Sequence, residues 1–347
     1  MEKIASGTIS KPDTKKMTNI IIPVLVLLFN IFILISPNKI ISGAKQGIDL
    51  WLNTVFPSLF PFMVGVNILG GLGVINYLGR FLQPVMQPLF GVRGQAGFAL
   101  AAGFICGCPI GAKTTCDMLQ NGQLTKDEAQ CLLCFVNNAG PIFILGAVGT
   151  GMFKSASAGY LLIAAHYIAA ILNGLLLSKN GFNRKGGAGY VKNIISLRKT
   201  GEIKTFGQIL SESVKDAMET ILHIGGFLIL FSVIIEMIVA ANVFGAFSEL
   251  FSGVLSLINF PPELLNALLT GIVEMTNGAK NLSPFGVNVQ NLSACAAVIS
   301  FGGFSIHAQT VSFLYKAELN VGKYFAAKVL HAIIAAALCY VLFPVFC

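Results

Sequence analysis

The sequence predicts an all-α polytopic membrane protein made of two inverted-topology repeats, each with three spans and a re-entrant helical hairpin, preceded by one N-terminal span. Three observations predict it. Of 347 residues, 55% are hydrophobic and 11% charged, where soluble domains average about 25% charged, and mean hydropathy is +0.77. Several apolar runs approach the roughly 20 residues that a helix needs to cross a bilayer. Finally, an apolar stretch is broken at Gly107-Cys108-Pro109-Ile110-Gly111-Ala112-Lys113, and the Gly-Ala-Lys ending returns 167 residues later in Thr276-Asn277-Gly278-Ala279-Lys280.

The same composition excludes other classes. Alternating ten-residue strands, the mark of a membrane β-barrel, are absent. The net charge of +8 sits in loops, as membrane topology requires, so nucleic acid is not an expected partner. The chain has no G-x-S-x-G, H-E-x-x-H or Walker sequence, so it reads as neither a hydrolase nor an ATP-driven pump. Eight cysteines are scattered through apolar segments and read as packing residues. No cofactor and no metal site is expected.

In chain order, residues 1–17 form a polar tail with Lys3, Lys11, Lys15 and Lys16, expected on the cytoplasmic side. Residues 18–37 are the first span, closed by Pro37-Asn38. Residues 39–54, with Lys39, Lys45, Asp49 and Trp51, read as interfacial, and the second span as 55–73. Arg80, Gln83 and Gln87 alternate with Phe81, Leu82, Val85, Leu89 and Phe90, the pattern of an amphipathic helix lying in the membrane plane. The arms flanking the first break, about 95–106 and 113–120, are each too short to span and predict a re-entrant hairpin. Asn121-Gly122 is a turn. Thr125 with Glu128 is a capping box starting the next helix, which is interrupted at Asn137-Asn138-Ala139-Gly140-Pro141 and resumes to about Phe153. A span over 156–178 follows, then the basic loop 179–215.

After the loop the pattern restarts. It has a span over 217–241, an amphipathic piece over 243–258 and a hairpin over 262–286 broken at Thr276–Lys280 and at Pro284. An apolar helix interrupted at Gly302-Gly303 and a last span over 321–346 complete it. His166-x-Ile-Ala-Ala recurs as His331-x-Ile-Ile-Ala-Ala. The halves are taken as 40–178 and 216–347. Three crossings in each make their orientations opposite. With the basic loop inside, only Lys39, Lys45 and Lys154 face outward, and Lys113 and Lys280 lie in the hairpins. Inverted repeats with broken helices meeting near the midplane are the mark of secondary transporters.

The candidate solute site follows from the breaks. Broken backbone at membrane depth needs protein or a wet cavity beside it. Lys113 and Lys280 would supply two charges, and half-helix N-termini would add partial positive charge. The uncharged donors are Thr114, Asn137, Asn138, Thr276, Asn277, Ser305 and Gln309, with Gly107, Pro109, Gly111 and Gly278 shaping the breaks and His307 beside the second. That set suits a small organic anion, a dicarboxylate above all, better than a neutral nucleoside. His166 and His331 read as packing residues, and Glu236 as an acid inside a span.

Two motif sets carry a resemblance. Gly103-Phe-Ile-Cys-Gly-Cys-Pro-Ile-Gly-Ala-Lys113 followed by Asn137-Asn138-Ala-Gly-Pro141 resembles the nucleoside-recognition Gate domain. Glu274-Met275-Thr276-Asn277-Gly278-Ala279 with Gly303-Phe304-Ser305-Ile306-His307-Ala308-Gln309 is similar to the sporulation integral membrane protein YlbJ group. The resemblance spans roughly residues 40–347. It implies a bacterial cytoplasmic membrane protein of endospore formers, in a forespore membrane or its neighbour, and a role in moving dipicolinic acid by alternating access. Nucleoside or nucleobase transport is the alternative, and a non-transporting membrane scaffold a third. The expected partners are an anionic small molecule and the lipid bilayer. A coupling ion, proton or sodium, and a homo-oligomer stay open.

Overall fold

The computed structural model describes residues 14–181, 205–257 and 261–347, and every regular element among them is helical. Most of the N-terminal tail and most of the basic loop, 182–204, lie outside the described residues. Five of the described helices are long and apolar enough to cross a membrane: Pro37–Gly71, Ala156–Ser178, Phe206–Ala240, Val289–Lys316 and Val321–Phe346. Outward faces are apolar, with Leu27, Leu34, Val341 and Val345 exposed. A bilayer tolerates that arrangement and water does not.

Helix α1 covers Thr14–Ile35. Helix α2, Pro37–Leu50, runs through a π-helical turn, Trp51–Val55, into α3, Phe56–Gly71. The expected interfacial piece at 39–54 is thus the first part of one 35-residue helix. The polar residues misled because they occupy one face. Gly43, Gly47 and Leu50 are buried at helical spacing, while Lys45 and Asp49 are exposed. The π turn, closed by Phe56 N–H on the Trp51 carbonyl, comes directly before Pro57, which has no amide to donate.

Helix α4, Val74–Phe90, lies between two left-handed glycines, Gly73 and Gly91. Helices α5, Gly97–Ile105, and α6, Ile110–Gln120, form the first hairpin. Helix α7, Lys126–Leu133, starts on the expected capping box, Thr125 with Glu128. Arg93 holds that same glutamate at 2.9 Å. An extended break at 137–140 leads into a π-helical segment, Phe143–Met152, and then α8, Ala156–Gly181.

The second half follows the same order: α9 (Phe206–Ala240), α10 (Val243–Leu257), the hairpin α11 (Pro262–Val273) and α12 (Met275–Leu282), α13 (Val289–Phe301), α14 (Gly303–Lys316) and α15 (Val321–Phe346). In each half a 35-residue helix, a short helix, a hairpin, a helix broken midway and a 26-residue helix succeed one another. Counterparts pack on each other, α2–α3 along α9 and α8 along α15.

The hairpin arms touch through glycine pairs. Gly103 and Gly111 meet backbone to backbone with the Val136 carbonyl against both, and Gly271 meets Gly278 beside Val298. A methyl at any of these four positions has no room. The second break lies earlier than its Thr-Asn-Gly sequence indicates. Glu274 alone is extended (φ −147°, ψ 118°), and Thr276 to Lys280 are helical within α12. The Glu274 carboxylate accepts the Asn277 amide and starts the helix there.

Gly103→Ala and Gly278→Ala are therefore expected to lower the detergent melting temperature by several degrees, overpacking costing about 1–3 kcal/mol. Gly65→Ala, whose new methyl meets nothing within 4 Å, leaves it unchanged or slightly raised. Equal melting of all three variants would refute the glycine-contact account.

Candidate functional site

The two hairpin breaks and the two midway breaks converge. Cys106, Cys108 and Ile110 from the first hairpin, Ala139 and Gly140 from the 137–140 break, Glu274 and Thr276 from the second hairpin, and Ser305 and Gln309 from α14 line one cleft of about 50 Å³. Phe62, Met63 and Phe143 supply apolar wall. The cleft adjoins a wider cavity of about 440 Å³ that shares Phe62, Met63, Cys106, Ile110 and Thr220 with it and adds Asn67, Lys113, Asp216, Glu219 and His223.

Glu274 is the charged group of the cleft, and it is 3% exposed. Thr276 donates its hydroxyl to Oε1 at 3.0 Å. Asn277 donates its amide at 2.7 Å and its Nδ2 at 3.0 Å to Oε2. The same Nδ2 reaches Ser232 Oγ on α9 at 2.9 Å. The carboxylate is thereby fixed by neutral donors. Gln309 Oε1 is buried without a hydrogen-bond partner among the described residues, as an acceptor facing a solute would be.

Behind the cleft lies a buried polar network across the junction of α8, α14 and α15. Asn137 Nδ2 donates to Thr310 Oγ1 at 3.1 Å and to Tyr324 OH at 2.9 Å. Tyr324 OH meets His307 Nδ1 at 3.1 Å. Lys328 Nζ donates to the Asn137 carbonyl at 2.9 Å and meets His331 Nδ1 at 3.2 Å. His331 Nε2 lies 3.0 Å from the His166 carbonyl, 165 residues away in sequence. A carbonyl only accepts, so Nε2 carries the His331 proton and Nδ1 accepts from Lys328. His166 takes the opposite tautomer. Its Nε2 accepts the Ala139 amide at 3.2 Å, so its Nδ1 donates to Ser300 Oγ at 2.7 Å. Tyr167 OH reaches both the Phe104 carbonyl at the end of α5 and the Ala139 carbonyl, each at 2.9 Å.

The residues expected at the site do not all reach the cleft. Thr276, Ser305 and Gln309 line the cleft. Asn137 and His307 lie behind it in the network, and Asn277 holds Glu274. Gly107 (φ 81°) sits at the first break against Gly140, Pro109 precedes α6 and lines the wider cavity, and Gly111 and Gly278 are hairpin contacts. Asn138 turns to the Phe135 carbonyl, and Thr114 is half-buried on α6.

The lysines depart most from expectation. Lys113 stands one turn into α6, exposed at the wider cavity, and Lys280 is exposed in the last turn of α12. Neither is at a hairpin tip, because each helix restarts before its lysine. Lys328, assigned by charge balance to the cytoplasmic side, is instead buried at 3% exposure. Its signal in sequence was a second cation two turns into an apolar helix, five residues after Lys323. Glu274, which the sequence singles out only as part of the YlbJ-like motif, caps α12 and lines the cleft.

The comparisons agree on the fold. The Gate family model, described as nucleoside recognition, matches residues 52–156 and 221–322. The sporulation integral membrane protein YlbJ of Bacillus subtilis (strain 168) is 32% identical over 336 residues, covering 93% of this chain and 82% of that protein. Among solved structures, the concentrative nucleoside transporter CNTnw in an inward-facing substrate-bound state superposes with a TM-score of 0.61 at 15% identity, over 96% of this chain and 87% of that one. A doubly substituted CNTnw in an outward-facing state gives 0.59 at 15% identity, over 92% and 86%.

Asn137→Leu removes two buried side-chain hydrogen bonds and leaves Thr310 and Tyr324 hydroxyls without their donor. The cost is about 2–4 kcal/mol, expected as a fall of at least about 5 °C in detergent melting. Asn138→Leu, which loses one local bond, falls by less. The reverse order would show that the network does not hold the two halves together.

Proposed function

The chain belongs to the YlbJ family of sporulation integral membrane proteins and carries the Gate nucleoside-recognition domain, and from that premise we propose that it is a secondary transporter of a small organic solute. The observation that carries the reading is the convergence of four helix breaks on one cleft beside a larger polar cavity. In a bilayer, such breaks are tolerated where they line a binding cavity. The 40–178 and 216–347 halves are inverted repeats, their hairpins are re-entrant, and residues 18–37 are a separate span. The recurring order of elements and the asymmetry of Lys and Arg support this. The N-terminus is cytoplasmic. The wider cavity, lined by Asp216 and Glu219 near the start of α9, lies on the side of the basic loop. The described state is then open to the cytoplasm, and alternating access moves one bundle against the other.

The cleft itself ranks the solutes. Its polar lining is Thr220, Glu274, Thr276, Ser305 and Gln309 between apolar walls, and among the described residues no lysine or arginine lines it. A carboxylate in that position favours a neutral ring-bearing molecule with donors, of the nucleoside or nucleobase class, over a dianion. Dipicolinate is the second reading. It is favoured by the family's sporulation context and by the N-termini of α6 and α14, which have no side-chain cap and can face a carboxylate.

Uptake of labelled uridine and labelled dipicolinate into proteoliposomes tests both. Uridine uptake is expected to fall at least tenfold in Glu274→Gln and to survive in the Lys113→Ala/Lys280→Ala double variant. Dipicolinate uptake without uridine uptake would select the second reading. Loss of either uptake in the lysine variant would return the lysines to the site.

A further inference from the structure

Helix α15 carries a lysine in an otherwise apolar stretch. Lys328 stands seven residues into the helix, about 10 Å along its axis. It is buried, and its two bonds go to neutral acceptors, the Asn137 carbonyl and His331 Nδ1. No carboxylate lies within ion-pair distance of it among the described residues. A buried ammonium lacking a counter-ion costs several kcal/mol, so the position demands a compensating use.

The hydrogen-bond count at the nitrogen indicates that use. An ammonium has three N–H bonds and two are taken. A neutral amine has two N–H bonds and one lone pair. Loss of the third proton therefore breaks neither bond, and both acceptors stay satisfied. The neighbouring histidines do not share this freedom. His331 and His166 are each held between a donor and an acceptor, and protonating either would set a proton against its donor partner.

The titratable groups facing Lys328 come from every side. They are His331 and Tyr324 from α15, His166 from α8, His307 from α14, and Cys108 from the first hairpin break, with Glu274 reaching Cys108 from the second hairpin. From α13 the network takes the Ser300 hydroxyl. The one carboxylate of this set, Glu274, is held by neutral donors across the cleft.

We propose that Lys328 is the coupling group of the transporter, taking up and releasing one proton in each solute cycle. This rests on the transporter reading. In the releasing step an Nζ–H bond breaks, its electron pair stays on nitrogen, and the proton passes to a water molecule that reaches Nζ when the bundles move apart. In the return step the lone pair takes a proton from water on the other side. The charge is coupled to the solute through Asn137. Its carbonyl is bonded to Lys328, its side chain to Thr310 beside the cleft residue Gln309, and Ala139 and Gly140 two and three residues on form cleft wall. A charged donor binds that carbonyl roughly twice as strongly as a neutral one, so the proton stiffens the break and its loss loosens it without breaking the bond.

The purified full chain is reconstituted in sodium-free vesicles, and uridine and dipicolinate are used as probes. Counterflow without a gradient reports transport itself. With a pH gradient of about one unit the wild type is expected to accumulate the transported probe up to about tenfold. Lys328→Met keeps counterflow within about threefold and loses accumulation, and Lys328→Gln serves where Met does not fold. Accumulation that requires sodium, or that persists under the pH gradient in the variant, overturns the proposal. Absence of counterflow for both probes counts against the transporter reading instead. The proton is then read directly from lysine Cε resonances in detergent. A signal absent from Lys328→Met should shift as pH is varied across the range in which the vesicles accumulate the probe. A signal that stays in the charged form through that range overturns the proposal independently of any uptake.

Discussion

A peptide group released from its helix inside a bilayer costs several kcal/mol unless another group answers it. The fold is arranged around answering the groups freed at its helix breaks. At the 137–140 break the Asn137 carbonyl is answered by Lys328, the Ala139 amide by His166 and the Ala139 carbonyl by Tyr167. Asn138 turns back on Phe135, and Asn173 bridges the Cys134 and Ala327 carbonyls. At the second hairpin the Glu274 carboxylate answers the Asn277 amide. These polar side chains come from the 26-residue helices α8 and α15 as well as from the breaks themselves, so the breaks fix where those helices must pack.

Close approach is the complementary device. Glycine pairs bring the hairpin arms together, and Val136 or Val298 fills the seam from the broken helix alongside. Each hairpin is thereby locked to the midway-broken helix of its own half. The halves are joined elsewhere, by α8 against α15 and by Asn137 to Thr310 and Tyr324. A transporter that moves one bundle against another needs this division into tight units and a polar junction.

Much of this was legible in the sequence wherever the signal is local. The capping box at Thr125 and Glu128, the Asn121-Gly122 turn, the interruption at 137–140 and the left-handed Gly302-Gly303 pair all stand where their residues indicate. Local averaging also caused the errors. Lys45 and Asp49 made residues 39–54 look separate, though they merely share the exposed face of a continuous helix. Thr276-Asn277-Gly278 looked like a break because those residues favour turns, yet a capping carboxylate two residues earlier holds them in a helix.

By itself the sequence determined the class, the family and the order of elements. Apolar length, breakers and caps act within a few residues and need no partner to be read. Only the tertiary structure decided which polar groups line the cleft. Charge in an apolar sequence says that a residue is costly, and where the cost is met depends on helix rotation and on neighbours more than 100 residues away. That is why Lys113 stands at the wider cavity and Lys280 is exposed, while Lys328 and Glu274 are buried.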